Sequence, residues 1–71
     1  MIKQDDFTFP RKLQYLRERR GISRHVLSEL CGLSKNMIAR YERGEQEPTM
    51  ASLVALADFF EVSVDYLICR K

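Results

Sequence analysis

The sequence predicts an all-α fold, a compact bundle of five helices. Apolar residues recur at helical spacing in five segments, serine or threonine stands at the start of most of them, and glycine ends three. No segment shows the alternation of a strand, and no apolar run approaches the ~20 residues of a membrane span. With 71 residues the chain fits one domain. We expect residues 1–7 to form a flexible arm and residues 8–71 to form the domain.

The first helix is predicted over residues 10–20. Proline is tolerated in the first turn because its missing N–H would have no partner inside the helix there. Either Thr8 or Phe9 could cap this helix, and Gly21 ends it. Its inward stripe consists of Phe9, Leu13 and Leu16.

Two short amphipathic helices follow, over residues 23–31 and residues 34–43. Each opens with a serine, whose hydroxyl can accept a hydrogen bond from an N–H of the first turn. Gly32 stands between them, where the chain must leave the first helix with positive φ. Two short helices joined at a glycine form a helix-turn-helix, the unit that presents its second helix to the major groove of DNA.

The two faces of the helix over residues 34–43 differ in chemistry. Ile38 and Tyr41 point inward at 100° per residue. The opposite face holds amide and basic groups without any acid: Asn36, Ala39, Arg40 and Arg43, with Lys35 to one side. On the preceding helix the predicted inward positions are Leu27, Leu30 and Cys31.

Two further helices complete the chain. Thr49 is predicted to cap the fourth helix and Ser63 the short fifth helix. The fourth follows the amphipathic template completely, at Leu53, Leu56, Ala57 and Phe60. The inward positions of the fifth are Val64, Leu67 and Ile68.

Charge is distributed unevenly although the net charge is only +2. Residues 1–44 contain 10 Lys and Arg against 5 Asp and Glu, whereas residues 45–71 contain 2 against 5. One end is therefore basic and the other acidic, which suits an anionic partner on one face. Ordinary solvated surface charge is the alternative explanation of the same distribution.

The sequence predicts no cofactor and no metal site. Two cysteines, Cys31 and Cys69, and one histidine, His25, are too few and too scattered for a closed zinc site. Since the first residues lack the apolar core of a secretory signal, we expect reduced thiols and a cytoplasmic protein. A Gly-rich phosphate loop and a nucleophile–base arrangement are not visible, so we do not expect an enzyme.

Residues 13–67 resemble the Cro-type, lambda-repressor-like helix-turn-helix family, also called Xre-like. The joint spacing of several positions carries the resemblance: Leu27, Ser28, Gly32, Ser34, Ile38, Glu42, Gly44, Pro48 and VSVDYL at 62–67. It implies a five-helix DNA-binding domain that usually acts as a transcriptional regulator, commonly as a dimer on palindromic operators, and for this chain we expect a repressor. The recognition helix, at about residues 34–43, would lie in the major groove.

Four residues depart from the family's pattern. Arg24 stands where the family usually has a glutamine that helps clamp a phosphate and braces the third helix. Ser28 replaces the usual alanine, and Glu45 and Glu47 lie in a loop that is often basic.

A structural role is assigned to Arg17, Gly32 and Glu42. Arg17 and Glu42 each follow an inward position, and the resemblance implies a semi-buried ion pair between them that joins the first and third helices. Because desolvation offsets much of the attraction in such a pair, its role would be orientation more than stability.

Contacts with DNA are expected from two sets of residues. The predicted base contacts are Lys35, Asn36, Ala39 and Arg40, since asparagine suits adenine, lysine and arginine suit guanine, and alanine can touch a thymine methyl. The predicted phosphate contacts are Arg24, His25, Ser34, Arg43 and Gln46. Plain surface charge is the alternative for Lys35 and Arg43, and local capping is the alternative for Asn36.

The expected partner is double-stranded DNA, bound by a homodimer whose recognition helices lie one DNA turn apart. Candidate dimer contacts are Phe59, Tyr66 and Ile68. The alternative function is an antitoxin or other protein-interaction module that also binds its own operator, with a toxin as protein partner.

Overall fold

Five α-helices form the part of the chain that the computed structural model describes, residues 8–69. They are α1 (Phe9–Arg20), α2 (Arg24–Leu30), α3 (Met37–Glu42), α4 (Met50–Phe60) and α5 (Val64–Leu67). No strand occurs within residues 8–69, so the predicted all-α five-helix bundle is confirmed. The predicted arm at residues 1–7 and the end of the domain at residues 70–71 lie outside the described residues.

Serine and threonine side chains cap three of the helices where the sequence predicted them. Each hydroxyl accepts the N–H of the residue three positions on: Val26 to Ser23 at 3.1 Å, Ser52 to Thr49 at 3.1 Å, and Tyr66 to Ser63 at 3.0 Å. Helix α1 instead has Thr8 at the N-cap position without a side-chain bond, and a proline in its first turn. These caps fix where α2, α4 and α5 begin.

Helix α3 begins three residues later than the sequence predicted. Residues 34–36 form a turn, in which the Ser34 carbonyl accepts the N–H of Met37 at 3.0 Å. The predicted cap at Ser34 is therefore wrong. Asn36 occupies the N-cap position instead, with φ −105° and ψ 9°, and its side chain makes no capping bond.

The core lies where α1 and α2 pack on α3 and where α1 and α4 pack on α5. Nine apolar residues are buried in it: Leu13, Leu27, Ile38, Tyr41, Leu53, Leu56, Ala57, Phe60 and Leu67. The Phe9 and Tyr41 rings meet edge-on, with centroids 5.9 Å apart, and join the start of α1 to α3. Because α3 supplies residues to both neighbouring helices, its inward side is fixed by the core.

The predicted inward position of Leu30 is wrong, because the residue is 59% exposed. Helix α2 has only seven residues and ends at Leu30, so its buried side consists of a single turn around Leu27 and Ser28. Cys31 follows as a half-buried free thiol, and this burial raises the pKa of its sulfhydryl group. None of the helices in residues 8–69 has the length and apolar content needed to cross a lipid bilayer.

Glu61 ends α4 with φ 58° and ψ 43°, in the left-handed region. A side chain in that region costs about 1 kcal/mol that glycine does not incur. We expect Glu61→Gly to raise the free energy of unfolding by about 1 kcal/mol, measured by urea denaturation. Ala51→Gly, at an exposed position inside the same helix, is the control and should lower it by about 1 kcal/mol. Destabilisation by both substitutions would contradict the assignment of strain to Glu61.

Candidate nucleic-acid interface

Helix α3 and the turn before it present polar side chains that the rest of the domain does not cover. The exposed residues are Lys35, Asn36, Arg40 and Arg43, with Ala39 half-buried among them. On the opposite side Ile38 and Tyr41 are 0% and 2% exposed. The core therefore holds one side of α3 and leaves the other side, which we call the outer stripe, facing away from the protein.

Three side chains of the outer stripe form no hydrogen bond or ion pair within the described residues. Lys35, Asn36 and Arg40 make no side-chain hydrogen bond or ion pair with any residue from 8 to 69. An amide, an ammonium and a guanidinium in this state offer both donors and acceptors to a ligand. These three side chains can therefore bond to hydrogen-bonding groups on a partner without first breaking bonds within the domain.

The corner between α2 and α3 depends on a backbone conformation that favours glycine. Gly32 has φ +69°, and a Cβ placed there would meet no atom within 4 Å. The requirement is thus conformational and not one of space. The Leu33 N–H bonds back to the Ser28 carbonyl at 2.8 Å, which closes α2 and sends the chain toward α3.

Ser28 fixes the start of α3 from the neighbouring helix. Its side chain is fully buried, and its Oγ accepts the N–H of Ile38 at 3.3 Å. Ile38 is the second residue of α3, where an N–H has no acceptor within its own helix. From the sequence, Ser28 was recognised only as a replacement of the family's usual alanine. The available signal was a polar residue directly beside the inward Leu27.

A buried carboxylate joins α3 to the first helix. Glu42, the last residue of α3, has a side chain that is 2% exposed. It accepts hydrogen bonds from Arg17 Nε at 2.7 Å and Arg17 Nη2 at 3.3 Å. Arg17 Nη1 also donates to the Ile22 carbonyl at 2.8 Å. One guanidinium thus connects α1, the segment before α2 and the end of α3.

A second arginine reaches the same carboxylate from α2. Arg24 Nε donates to Glu42 Oε1 at 2.9 Å, and the Arg24 side chain is 52% exposed. The sequence singled out Arg24 for phosphate contact and did not predict this bond. Arg24 is the first residue of α2 and Glu42 the last of α3, so the bond spans the helix-turn-helix from end to end.

The other predicted phosphate contacts, apart from Arg43, lie close in sequence to the ends of α2 and α3, and two of them contact a neighbouring residue of the domain. His25 Nε2 lies 3.2 Å from Glu29 Oε1, and Gln46 Nε2 donates to the Glu47 carbonyl at 3.2 Å. Ser34 is exposed, and its hydroxyl makes no hydrogen bond within residues 8–69. The structure therefore leaves these polar groups on the surface near the ends of α2 and α3.

Arg43 is paired within the domain by an acidic neighbour. Its Nε donates to Glu45 Oε2 at 2.8 Å and its Nη2 to Glu45 Oε1 at 3.2 Å. The hydrogen bond from Arg43, together with the charges of Arg43 and Arg40, holds the pKa of the Glu45 carboxyl below its ordinary value. Glu45 is thus ionised at neutral pH, and it offsets part of the positive charge at this end of the stripe.

Comparison with known proteins places residues 13–67 on a family model described as helix-turn-helix. The HTH-type transcriptional regulator AnsR of Bacillus subtilis (strain 168) is 33% identical over 60 residues, which are 84% of this chain and 52% of AnsR. The HTH-type transcriptional regulator SutR of Escherichia coli (strain K12) is 44% identical over 45 residues, 63% of this chain and 25% of SutR. The chain spans about half the length of AnsR and a quarter of SutR.

Two solved structures share the fold over most of their length. The P22 c2 repressor, crystallised in complex with a synthetic operator, superposes with a TM-score of 0.82 at 29% identity, covering 87% of this chain and 94% of the repressor chain. The restriction-modification controller protein C.AhdI from Aeromonas hydrophila gives a TM-score of 0.77 at 27% identity, covering 83% and 89%.

The bond between Ser28 and the Ile38 N–H makes a testable prediction. Ser28→Ala leaves a buried donor without an acceptor, so we expect the free energy of unfolding to fall by about 1 to 2 kcal/mol in urea denaturation. Ser34→Ala removes an exposed hydroxyl that caps nothing, and it should change stability by less than about 0.5 kcal/mol. If Ser34→Ala lowers the free energy of unfolding more than Ser28→Ala does, Ser34 and not Ser28 stabilises the start of α3.

Proposed function

The chain belongs to the helix-turn-helix family whose model spans residues 13–67, and we propose that it is a sequence-specific regulator of transcription that binds double-stranded DNA. The resemblance of the sequence to lambda-repressor-like proteins agrees with this family and with the fold of the P22 c2 repressor. A repressor role is the form we favour, since that neighbour is a repressor on its operator. We assign the protein to the cytoplasm and to a binding function without catalysis.

The observation that carries the proposal is the outer stripe. Lys35, Asn36 and Arg40 are exposed and make no side-chain hydrogen bond or ion pair within residues 8–69, while the other side of α3 is buried. A short helix held in this way can enter a major groove, where asparagine pairs with adenine and arginine or lysine with guanine. Ala39 lies between them at a position suited to a thymine methyl.

Phosphate contacts would surround the base-reading residues and fix the domain on the duplex. We assign them to five exposed residues, of which Ser34 lies in the turn and the others lie near the two ends of the helix-turn-helix: Arg24, His25, Ser34, Arg43 and Gln46. Such contacts supply most of the affinity and make it depend on salt. The Arg43–Glu45 pair means that Arg43 must exchange one carboxylate for a phosphate on binding.

Two copies of the chain on a palindromic operator would double the contacted sequence. The predicted dimer contacts, Phe59, Tyr66 and Ile68, are partly covered by their own domain. Arg20 lies over the Phe59 ring at 5.2 Å, Lys12 Nζ lies 3.9 Å from the Tyr66 ring centroid, and Ile68 packs against the core. A homodimer that uses the exposed parts of these three side chains stays a prediction. The alternative function, an antitoxin with a protein partner, also stays a prediction.

Asn36 is the sharpest test of base reading. Selection of bound sequences from random duplex DNA should yield a motif for the wild-type protein. For Asn36→Ala we expect the preference at one position of each half-site to disappear, at a cost of about 1 to 3 kcal/mol for the preferred base. Ser34→Ala, a neighbouring phosphate candidate, is the control and should weaken all sequences alike. A uniform weakening by Asn36→Ala would make that residue a backbone contact instead.

Removing the acid that pairs with Arg43 should strengthen binding. Glu45→Gln frees the Arg43 guanidinium and deletes one negative charge beside the outer stripe, so we expect affinity for duplex DNA to rise about 3-fold to 10-fold at low salt. Fluorescence anisotropy over a series of KCl concentrations measures this effect. Glu61→Gln, at the corner between α4 and α5, deletes the same charge outside the interface and should change affinity little. Weaker binding by Glu45→Gln would mean that the pair itself orients Arg43 for DNA.

A further inference from the structure

We propose that Glu42 is a positioning residue for DNA binding, because its buried carboxylate holds Arg24 in the orientation that grips a backbone phosphate. The inference rests on the proposed function. It adds that the buried Arg17–Glu42 ion pair is linked to Arg24 on the surface proposed to contact DNA. Its basis is the single bond from Arg24 Nε to Glu42 Oε1 at 2.9 Å.

The charges of the cluster show that Arg24 is not needed to neutralise the acid. Arg17, with a side chain 10% exposed, already supplies one positive charge and two hydrogen bonds to Glu42. These two groups form a neutral buried pair by themselves. Arg24 brings a second positive charge to the same carboxylate, and its side chain remains 52% exposed. Arg17, Glu42 and Arg24 together therefore carry one unit of positive charge, and the exposed Glu18 Oε2 lies 3.9 Å from Arg17 Nη2.

The geometry of the Arg24 guanidinium leaves its phosphate-binding edge available. Only Nε is bonded, and the two terminal nitrogens have no partner among residues 8–69. A guanidinium presents five N–H donors in a rigid plane, and the pair on its terminal edge suits two oxygens of one phosphate. Anchoring Nε fixes that plane beforehand, so fewer side-chain rotamers are lost when the phosphate is bound.

The position of the bond connects the two ends of the helix-turn-helix. Arg24 begins α2, and Glu42 ends α3 between Tyr41 in the core and Arg43 on the surface. An Arg24 plane set by Glu42 is thus set relative to α3 and its base-reading side chains. Phosphate contact and base contact would share one rigid frame, which a lysine at position 24 could not provide with its single ammonium.

The experiment measures the affinity of the 71-residue chain for a duplex selected from random DNA, and for an unrelated duplex, over a KCl series. We expect Arg24→Ala to lower affinity about tenfold for both duplexes and to reduce the slope of log K against log[KCl] by about 1. Arg24→Lys should keep most of the slope and still lose affinity, because charge is retained and the fork is lost. Arg19→Ala, an exposed arginine on α1 outside the interface, should leave the slope unchanged.

A double-mutant cycle with Glu42→Gln then tests the positioning role. In the wild-type background Glu42→Gln should weaken binding, whereas with Arg24→Ala already present it should not. Thermal melting in parallel shows that each variant is folded at the assay temperature. If Glu42→Gln does not fold, the affinity of Arg24→Lys alone tests the inference. Wild-type affinity of Arg24→Lys for DNA would overturn it. An unchanged slope for Arg24→Ala, or additive effects in the cycle, would also overturn it. Absence of salt-sensitive binding by the wild-type protein would instead refute the proposed function.

Discussion

A carboxylate buried at the end of α3 needs a positive partner, and much of the domain is arranged to provide one. Burying Glu42 unpaired would cost several kcal/mol, and Arg17 reaches it from α1 while holding the Ile22 carbonyl with another nitrogen. The first helix, the chain entering α2 and the end of α3 are therefore fixed relative to one another. With Ile38 and Tyr41 in the core, α3 has one direction in which its polar side can face.

Helix α3 owes its shape to its neighbours more than to its own length. Helix α3 has six residues, far fewer than an isolated helix needs to be stable in water. Ser28 supplies an acceptor at its beginning, and the cluster of Arg17, Glu42 and Arg24 holds its end. The same contacts that make the helix persist thus determine how its outer side chains are presented.

Local rules explain what could be predicted from the sequence. Helical spacing located all five helices and the core positions of α4, and the serine and threonine caps of α2, α4 and α5 were found because a cap bonds only three residues ahead. Ser34 and Leu30 were misjudged because the ends of α2 and α3 depend on bonds between helices, which no local pattern records. The Arg24–Glu42 bond joins residues 18 apart in sequence and likewise left no periodic signal. The polar and basic composition of the outer stripe could be predicted from the sequence, but the ion pair between Arg43 and Glu45 could not.

The shortness of α3 and of the turn before it also limits how many base pairs one domain can contact. The proposed base contacts lie within residues 35–40, the turn before α3 and its first four residues. At about 1.5 Å per residue this segment covers about 9 Å, which matches about three steps of stacked bases at about 3.4 Å each. On the proposed function, a sequence of three base pairs would recur on the order of once per 64 base pairs in random DNA. A chromosome offers roughly a million or more competing sites, so such a sequence would occur in it many times. A DNA site long enough to be unique must therefore be recognised by several domains bound side by side on one duplex, each of which contacts only a few base pairs.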